Sequence, residues 1–159
     1  MRIGFGYDSH VFSDEENRPL KLGGIAIPGE KGLKGHSDAD VLVHAVIDAI
    51  LGAAAAGDIG MKFPDTDEKW KNADSMKLLA ATMEDVVSRG YRVGNVDVTV
   101  ICERPKLRPH ADAIRMSLAG ALGTDIGNVS VKGKTNEKMD DVGRGIGIET
   151  HCVVLLEKI

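Results

Sequence analysis

The spacing of hydrophobic residues along the chain predicts several short strands separated by three helices. Apolar and polar positions alternate at four places, which is the pattern of strands with one buried face. These strands cover residues 2–12, 96–101, 129–132 and 146–156, and shorter strand segments run from Leu20 to Pro28 around Gly23-Gly24. The segment around the two glycines predicts a hairpin near the amino terminus.

Apolar residues that recur every three to four positions predict the helices. The first helix has Asp38 as its N-cap and continues through an Ala-rich stretch to about Gly57. The second follows Asp74 and stops at Gly90, and the third covers residues 109–122. Strands that alternate with helices in this way predict an α+β fold, an α/β sandwich in which one sheet of about four main strands is covered by three helices, plus the short hairpin.

Chain length and apolar content predict a single domain that spans residues 1–159, because this length suits one hydrophobic core and is short for two. No apolar run approaches the roughly 18 residues of a membrane span, so no membrane partner is expected. The segment from Met1 to Tyr7 enters the first strand without a signal-peptide pattern. We therefore expect a cytoplasmic protein, or an organelle protein that has already been trimmed.

Charge and cysteine content narrow the classes of partner. The net charge of −4 and the aromatic content of 4% do not suit a surface that wraps nucleic acid, so no nucleic-acid partner is expected. Any anionic partner should be small and bound locally. Cys102 and Cys152 lack the paired spacing of a zinc ribbon and the density of a disulfide scaffold, which predicts buried, reduced thiols.

Three side chains with metal-binding atoms are the most informative feature of the sequence. Asp8 and His10 are two residues apart on a predicted strand, so both point to one face. His44 on the first helix can add a third ligand, which gives the three-ligand, one-open-position pattern of catalytic zinc. Asp48, one turn further on, either orients a ligating imidazole or is a carboxylate on the helix surface.

Three further segments have the residue types of anion-binding sites. His36-Ser37 precedes a helix start, where free backbone N–H groups favour phosphate, although a plain turn and cap fits the same residues. Residues 103–110 carry three cations and two prolines after a strand, and residues 132–138 combine ammonium, hydroxyl and carboxylate groups. Basic loops of this kind are also often only solvated.

Residues 57–67 lack periodicity and predict an ordered or mobile loop, a candidate lid.

No serine-hydrolase elbow, Walker loop or dinucleotide-binding fingerprint is present in the sequence. Six other motifs occur in order along nearly the whole chain. They are Asp8-x-His10, His36-Ser37-Asp38-x-Asp40-x-x-x-His44, Leu51-Gly52-Ala53-Ala54-Ala55-x-Gly57-Asp58-Ile59-Gly60, Phe63-Pro64-Asp65-Thr66-Asp67, Gly94-Asn95-Val96-Asp97 and Pro105-Lys106-Leu107. With these motifs the chain closely resembles the 2-C-methyl-D-erythritol 2,4-cyclodiphosphate synthase family of the non-mevalonate isoprenoid pathway.

The resemblance implies an activity and an assembly. The expected reaction converts 4-diphosphocytidyl-2-C-methyl-D-erythritol 2-phosphate to a cyclic diphosphate with release of CMP, which makes the protein a phosphorus-oxygen lyase. The expected partners are this small cytidine diphosphate substrate and two further copies of the chain, in a homotrimer with active sites at the subunit interfaces. The expected cofactors are one Zn²⁺ per subunit and a second divalent ion, Mg²⁺ or Mn²⁺.

The resemblance also implies residue roles. Asp8, His10 and His44 would hold zinc, Glu137 would contact the second ion through the phosphates, and His36 and Thr135 would be catalytic. The substrate would be bound by Asp8, Ser9, His10, His36, Ser37, Asp58, Ile59, Gly60, Phe63, Pro64, Asp65, Thr66, Asp67 and Arg144. The nucleotide would be bound by Cys102, Glu103, Arg104, Pro105, Lys106, Leu107, Arg108, Lys134, Thr135, Asn136 and Glu137.

Two other functions fit the residues taken without the resemblance. A zinc-dependent phosphohydrolase would direct water, rather than an internal phosphate, at a nucleotide diphosphate. A non-catalytic module would use zinc for structure, but it needs a closed four-ligand site, and the sequence groups only three strong candidates.

Overall fold

A computed structural model describes residues 1–64, 66–70 and 73–159. The strands of this part of the chain are Arg2–Val11 (β1), Pro19–Leu22 (β2), Ile25–Lys31 (β3), Tyr91–Ile101 (β4), Val129–Lys134 (β5) and Gly147–Lys158 (β6). The α-helices are Val41–Ala54 (α1), Ile59–Lys62 (α2), Ser75–Ser88 (α3), Ala111–Leu122 (α4) and Asp140–Gly143 (α5). Single 3₁₀ turns occur at Glu68–Trp70, Arg108–His110 and Ile126–Asn128.

The main sheet is mixed and has the strand order β1-β6-β4-β5. β6 runs antiparallel to both β1 and β4, whereas β4 and β5 are parallel. A parallel pair needs a crossover connection, and α4 lies in the chain between these two strands. β2 and β3 pair in a separate hairpin whose turn uses Gly23 and Gly24 at positive φ. This architecture confirms the predicted α+β fold of four main strands, three covering helices and a hairpin.

One face of the sheet is covered by the three long helices. α1 packs on β1 and β6, α3 on α1, and α4 on β5. α1 is buried on most sides, from Val41 through Ala53, which agrees with the Ala-rich apolar sequence. Gly4 and Gly6 in β1 lack side chains where α1 crosses the strand, so the two backbones approach closely.

Asp40, not Asp38, caps the first helix, so the predicted N-cap is wrong. The fully buried Asp40 carboxylate accepts hydrogen bonds from the backbone N–H groups of Val43, Gly23 and Gly24 at 2.7 to 3.0 Å. It thereby fixes both the start of α1 and the hairpin turn. Burial raises its pKa, although these backbone hydrogen bonds oppose the rise. Asp38 is free for a different contact, described below.

Residues 57–67 contain a helix that the sequence pattern did not indicate. α2 is only four residues long, which is too short for an apolar periodicity, and Asp58 caps it by accepting from the Met61 N–H at 2.8 Å. The first helix also ends earlier than predicted, at Ala54, and the strand before residue 101 begins earlier, at Tyr91. Asp65 lies outside the described residues, so the candidate lid is described only in part.

The other face of the sheet exposes a group of large apolar side chains. Ile3, Phe5 and Tyr7 of β1 are 75%, 60% and 46% exposed, and Val153 of β6 is 45% exposed. These four residues, called the open sheet face below, lie side by side because Phe5 pairs with Val153 in the β1–β6 ladder. A contiguous apolar surface of this kind is typical of an interaction site.

Both cysteines are buried and unpaired, which confirms the prediction of reduced thiols. Burial raises the pKa of Cys102 to about 11 and raises that of Cys152 further, so neither is a reactive thiolate. None of the described helices has both the length and the apolar character that a membrane crossing requires.

Candidate active site

The structure brings the three predicted metal ligands together. Asp8 and His10 project from one face of β1, and His44 reaches them from the first turn of α1. The Asp8 Oδ2 atom is 2.9 Å from His10 Nε2 and 3.0 Å from His44 Nδ1. Their candidate ligand atoms all lie within 4.8 Å of one another, and this is the one such cluster in the described part of the chain. The strand-helix packing therefore builds a possible metal site.

Electrostatics keep the Asp8 carboxyl ionised. Burial raises its pKa, but hydrogen bonds from His10 and His44 and the charges of these rings outweigh burial and lower it to about 2. Burial also lowers the pKa of His10, yet its hydrogen bond with Asp8 leaves that pKa above the ordinary value of 6.5. The carboxylate thus stabilises positive charge in this cluster, which a bound cation can supply in place of protons.

The donor set and ring orientation fit a zinc ion. Two imidazoles and one carboxylate are ligands that zinc prefers, and three protein ligands leave a fourth position for substrate. His10 Nδ1 lies 2.7 Å from the Lys34 carbonyl oxygen, so Nδ1 carries the proton that it donates there. The other nitrogen, Nε2, faces Asp8, and a bound metal would take the place of the proton that Nε2 shares with this carboxylate. The His10 and His44 rings meet edge to face with centroids 5.5 Å apart.

A pocket of about 340 Å³ opens beside the two histidines of the cluster. Eight of the site residues predicted from the sequence line this pocket: His10, His36, Ser37, His44, Ile59, Gly60, Phe63 and Pro64. Trp70 and Leu78 also line it and were not predicted; Trp70 packs edge to face on Phe63 with ring centroids 4.9 Å apart. The lining combines polar groups with apolar rings, which suits a polar ligand beside a surface that excludes water.

The remaining predicted substrate residues lie outside the lining of that pocket. Ser9 is exposed on β1. Asp58 is also exposed, and its carboxylate caps α2. Thr66 and Asp67 are exposed, with Asp67 accepting from the Lys69 N–H at 3.0 Å. Asp65 lies outside the described residues. Arg144 is exposed and forms an ion pair with Asp141.

A second pocket, of about 440 Å³, lies where β4 and β5 end. Seven of the nucleotide-binding residues predicted from the sequence line this pocket: Cys102, Pro105, Lys106, Leu107, Arg108, Lys134 and Thr135. Ala111, Val131, Lys132 and Gly133 complete the lining. Parallel pairing of β4 with β5 explains this convergence, because the two basic segments leave the sheet at the same edge.

Four predicted nucleotide residues are neighbours of this second pocket in the chain but not among its lining residues. They are Glu103, Arg104, Asn136 and Glu137. The Glu137 carboxylate accepts a hydrogen bond of 2.7 Å from the Thr135 hydroxyl, and the Asn136 amide donates to Asp140 at 2.8 Å. The Glu137 carboxylate is exposed and does not belong to the cluster of Asp8, His10 and His44.

Two contacts of the cluster and its helix were not among the predictions: of the two alternatives for Asp48 the structure shows no bond to the imidazole, and Ser75 adds a contact to His44. The half-buried Asp48 carboxylate accepts from the Ile59 N–H at 2.7 Å and so fixes the start of α2, rather than bonding to the His44 ring. The His44 Nε2 atom instead lies 2.9 Å from the Ser75 hydroxyl and 3.2 Å from that of Ser37. Ser75 is 31 residues away in the sequence, and its position after Asp74 indicates only a helix start.

The fold and the three-ligand cluster define a class of small α+β proteins with a candidate catalytic metal site. The sequence profile of the YgbB family matches residues 1–157. A protein of Brachyspira hyodysenteriae named 2-C-methyl-D-erythritol 2,4-cyclodiphosphate synthase is 58% identical over 158 residues, or 99% of both chains. One of the same name from Neisseria gonorrhoeae is 55% identical over 159 residues, covering 100% of this chain and 98% of its own.

Solved structures agree with the sequence relatives. A structure titled 2C-methyl-D-erythritol-2,4-cyclodiphosphate synthase in the bound form with CDP has a TM-score of 0.89 and 38% identity, covering 98% of this chain and all of that one. The bifunctional IspDF from Campylobacter jejuni has a TM-score of 0.94 and 43% identity over 99% of this chain, which spans 42% of the bifunctional protein. The chain therefore belongs to the YgbB family of 2-C-methyl-D-erythritol 2,4-cyclodiphosphate synthases.

This membership confirms the family identified from the six motifs. It also confirms the predicted activity, which is cyclisation of the cytidyl methylerythritol phosphate in isoprenoid biosynthesis. Neither of the two other functions that the residues allowed is indicated by these full-length relatives.

Proposed function

We propose that the chain works as a phosphorus-oxygen lyase by a ring closure within one substrate molecule. An oxygen of the 2-phosphate attacks the β-phosphorus of the cytidine diphosphate group; the bond from that phosphorus to the bridging oxygen breaks, and CMP leaves with this oxygen. The attacking oxygen is already anionic, so no serine nucleophile and no strong base are needed. The observation that carries the proposal is the convergence of Asp8, His10 and His44 beside the polar and apolar pocket.

Metal ions complete the proposed site. Asp8, His10 and His44 would hold one Zn²⁺ per subunit, and Glu137 would contact Mg²⁺ or Mn²⁺ shared with the phosphates. Bound there, the ions supply positive charge that offsets the repulsion between the attacking phosphate and the diphosphate. The fit rests on the donor set, on the ionised Asp8 carboxylate and on the imidazole orientation described above.

The chain's own residues would orient the reacting groups. His36 and Ser37 lie at the pocket near the start of α1, where they can contact the methylerythritol phosphate end. Thr135 can donate its hydroxyl proton to a phosphate oxygen in place of Glu137. Ile59, Phe63 and the other apolar lining residues would exclude water, because hydrolysis of the same diphosphate competes with cyclisation.

The pocket at the β4 and β5 ends would bind the cytidine and its phosphates. Lys106, Arg108 and Lys134 provide cations around an apolar surface that includes Leu107. The CDP-bound form of one solved relative supports the same ligand class for this chain. Ser9, Asp58, Thr66, Asp67 and Arg144 remain proposed contacts that a bound substrate would have to reach from exposed positions.

The active enzyme is proposed to be a cytoplasmic homotrimer of single-domain subunits. The metal-side pocket and the nucleotide pocket share no lining residue, which is compatible with one substrate molecule bound between pockets of two neighbouring subunits. The open sheet face supports self-association, since its apolar side chains would be covered by another copy of the same strands.

A charged substitution on the open sheet face should break the trimer. We expect the wild-type protein to have about three times the 17.0 kDa mass of one chain by light scattering. Phe5→Lys should shift the mass toward one chain and reduce turnover, because a lysine buried without a partner is costly. Met116→Lys on α4, at a residue 59% exposed, is the matched control and should stay trimeric. An unchanged mass for folded Phe5→Lys would argue against this interface.

Phosphorus NMR distinguishes cyclisation from hydrolysis directly. Purified protein with the cytidine substrate, Zn²⁺ and Mg²⁺ should give the cyclic diphosphate and CMP in equal amounts. Protein treated with a chelator should give neither, and adding the metals back should restore both. A linear phosphate product with CMP would instead identify a hydrolase, and no turnover by the metal-loaded trimer would overturn the proposal.

A further inference from the structure

A chain of hydrogen bonds runs from the metal cluster into the protein interior. Ser75, at the start of α3, is fully buried, and its hydroxyl oxygen is 2.9 Å from His44 Nε2. The same hydroxyl donates to Asp38 Oδ1, and the Ser75 backbone N–H is 3.3 Å from that oxygen. The other oxygen of Asp38 accepts from the Lys21 ammonium at 3.1 Å. Ser75, Asp38 and Lys21 were not among the predicted site residues.

The direction of these hydrogen bonds favours one tautomer of His44. The Asp38 carboxylate, paired with Lys21, can only accept, so the single hydroxyl proton of Ser75 is donated to it. The Ser75 oxygen can then only accept from His44, which requires the proton on Nε2. The opposite nitrogen, Nδ1, faces Asp8 at 3.0 Å and is the atom at which a bound metal would take the place of a proton shared with this carboxylate.

This choice matters because Asp8 by itself favours the other tautomer. A carboxylate beside Nδ1 attracts a proton to that nitrogen, and a protonated Nδ1 cannot bind a metal. The Ser37 hydroxyl can accept from Nε2 or donate to it, but its oxygen is farther away, at 3.2 Å, and already accepts from the Ala39 N–H at 3.1 Å. Ser75 is thus the nearer acceptor for the proton on Nε2.

We propose that Ser75, supported by Asp38, is a positioning residue that holds His44 in the tautomer able to bind the metal through Nδ1. The inference rests on the proposed metal site of the cyclisation reaction. It assigns to the start of α3 a function in metal affinity in addition to its structural role.

The test measures metal affinity and tautomer rather than turnover alone. In the full-length protein, Ser75→Ala should weaken zinc binding about 10- to 100-fold in a chelator competition. In the metal-free protein at a pH where the ring is neutral, ¹⁵N NMR of labelled histidine should show Nε2–H in the wild type and a larger Nδ1–H population in Ser75→Ala. Excess zinc should restore most of the turnover, because Ser75 is not among the residues that line the two pockets.

A matched control is available on the same helix. Thr82 is also fully buried, and its hydroxyl donates to the Leu78 carbonyl at 2.9 Å, away from the cluster. Thr82→Val should leave zinc affinity and the His44 tautomer unchanged, whereas Ser75→Thr, which keeps the hydroxyl, should recover part of the affinity. If Ser75→Ala does not fold, Asp38→Asn decides, because it removes the charge that orients the Ser75 proton and should weaken zinc binding.

Wild-type zinc affinity and an unchanged tautomer in a folded Ser75→Ala or Asp38→Asn protein would overturn the inference. If the wild type cyclises its substrate in the same experiments, only the role of Ser75 fails. If the wild type binds zinc through His44 but forms no cyclic diphosphate, the proposed reaction fails and the role of Ser75 in metal binding stands.

Discussion

Replacing His44 by alanine should remove bound zinc and lower kcat/KM at least about a thousand-fold. His44 supplies one of three ligands, and the two that remain, on β1, would hold zinc much more weakly. Loss of the metal charge is worth several kcal/mol in phosphoryl transfer, and about 4 kcal/mol corresponds to a thousand-fold change in rate. Zinc content by plasma emission spectroscopy and turnover by phosphorus NMR should fall together.

His110→Ala is the control for His44→Ala. His110 precedes α4, and its side chain makes no capping hydrogen bond there, so zinc content should match that of the wild type. The His44→Ala protein should keep its fold, since the ring is at the site and the helix around it is anchored by buried apolar residues. Full turnover by folded, zinc-free His44→Ala would refute the assignment of this cluster as the catalytic metal site.

The metal ligands could be predicted from sequence because two of them obey a local rule. Asp8 and His10 are two residues apart on a strand, so their common direction follows from strand geometry. His44 was assigned from its residue type and its place near a predicted helix start, and the packing of α1 on β1 brings it within reach. A short sequence separation and a regular element are thus enough to predict most of this cluster.

The supporting contacts could not be predicted, because they join segments far apart in the chain. Ser75 and Asp38 are 37 residues apart, and nothing in either local sequence indicates that α3 begins beside the loop before α1. The same contact explains the incorrect N-cap. Asp38 and Asp40 are equally suitable by residue type, and tertiary structure assigns Asp38 to Ser75 and leaves Asp40 as the cap.

Close packing between β1 and α1 is the second feature on which the site depends, and a single methyl group tests it. A Cβ built on Gly6 would lie 1.9 Å from the Ala45 carbonyl oxygen and 2.6 Å from the Ala49 nitrogen. These are backbone atoms of α1, so no side-chain rotation can relieve the overlap. The helix would have to move away from the strand, and Ala45 is the residue next to His44.

Gly6→Ala should therefore destabilise the protein by about 4 kcal/mol or more, near the upper end for single substitutions, and reduce zinc binding with it. Urea unfolding gives the first quantity and chelator competition the second. Gly52→Ala is the matched control: Gly52 lies on α1, and the nearest atom to its added Cβ is the Phe5 carbonyl oxygen at 3.8 Å. It should raise the free energy of unfolding by about 0.5–1 kcal/mol, because alanine is the better helix former. Wild-type stability and zinc affinity in Gly6→Ala would mean that α1 can shift without disturbing the ligands, and the close strand-helix packing would then not be what fixes the site.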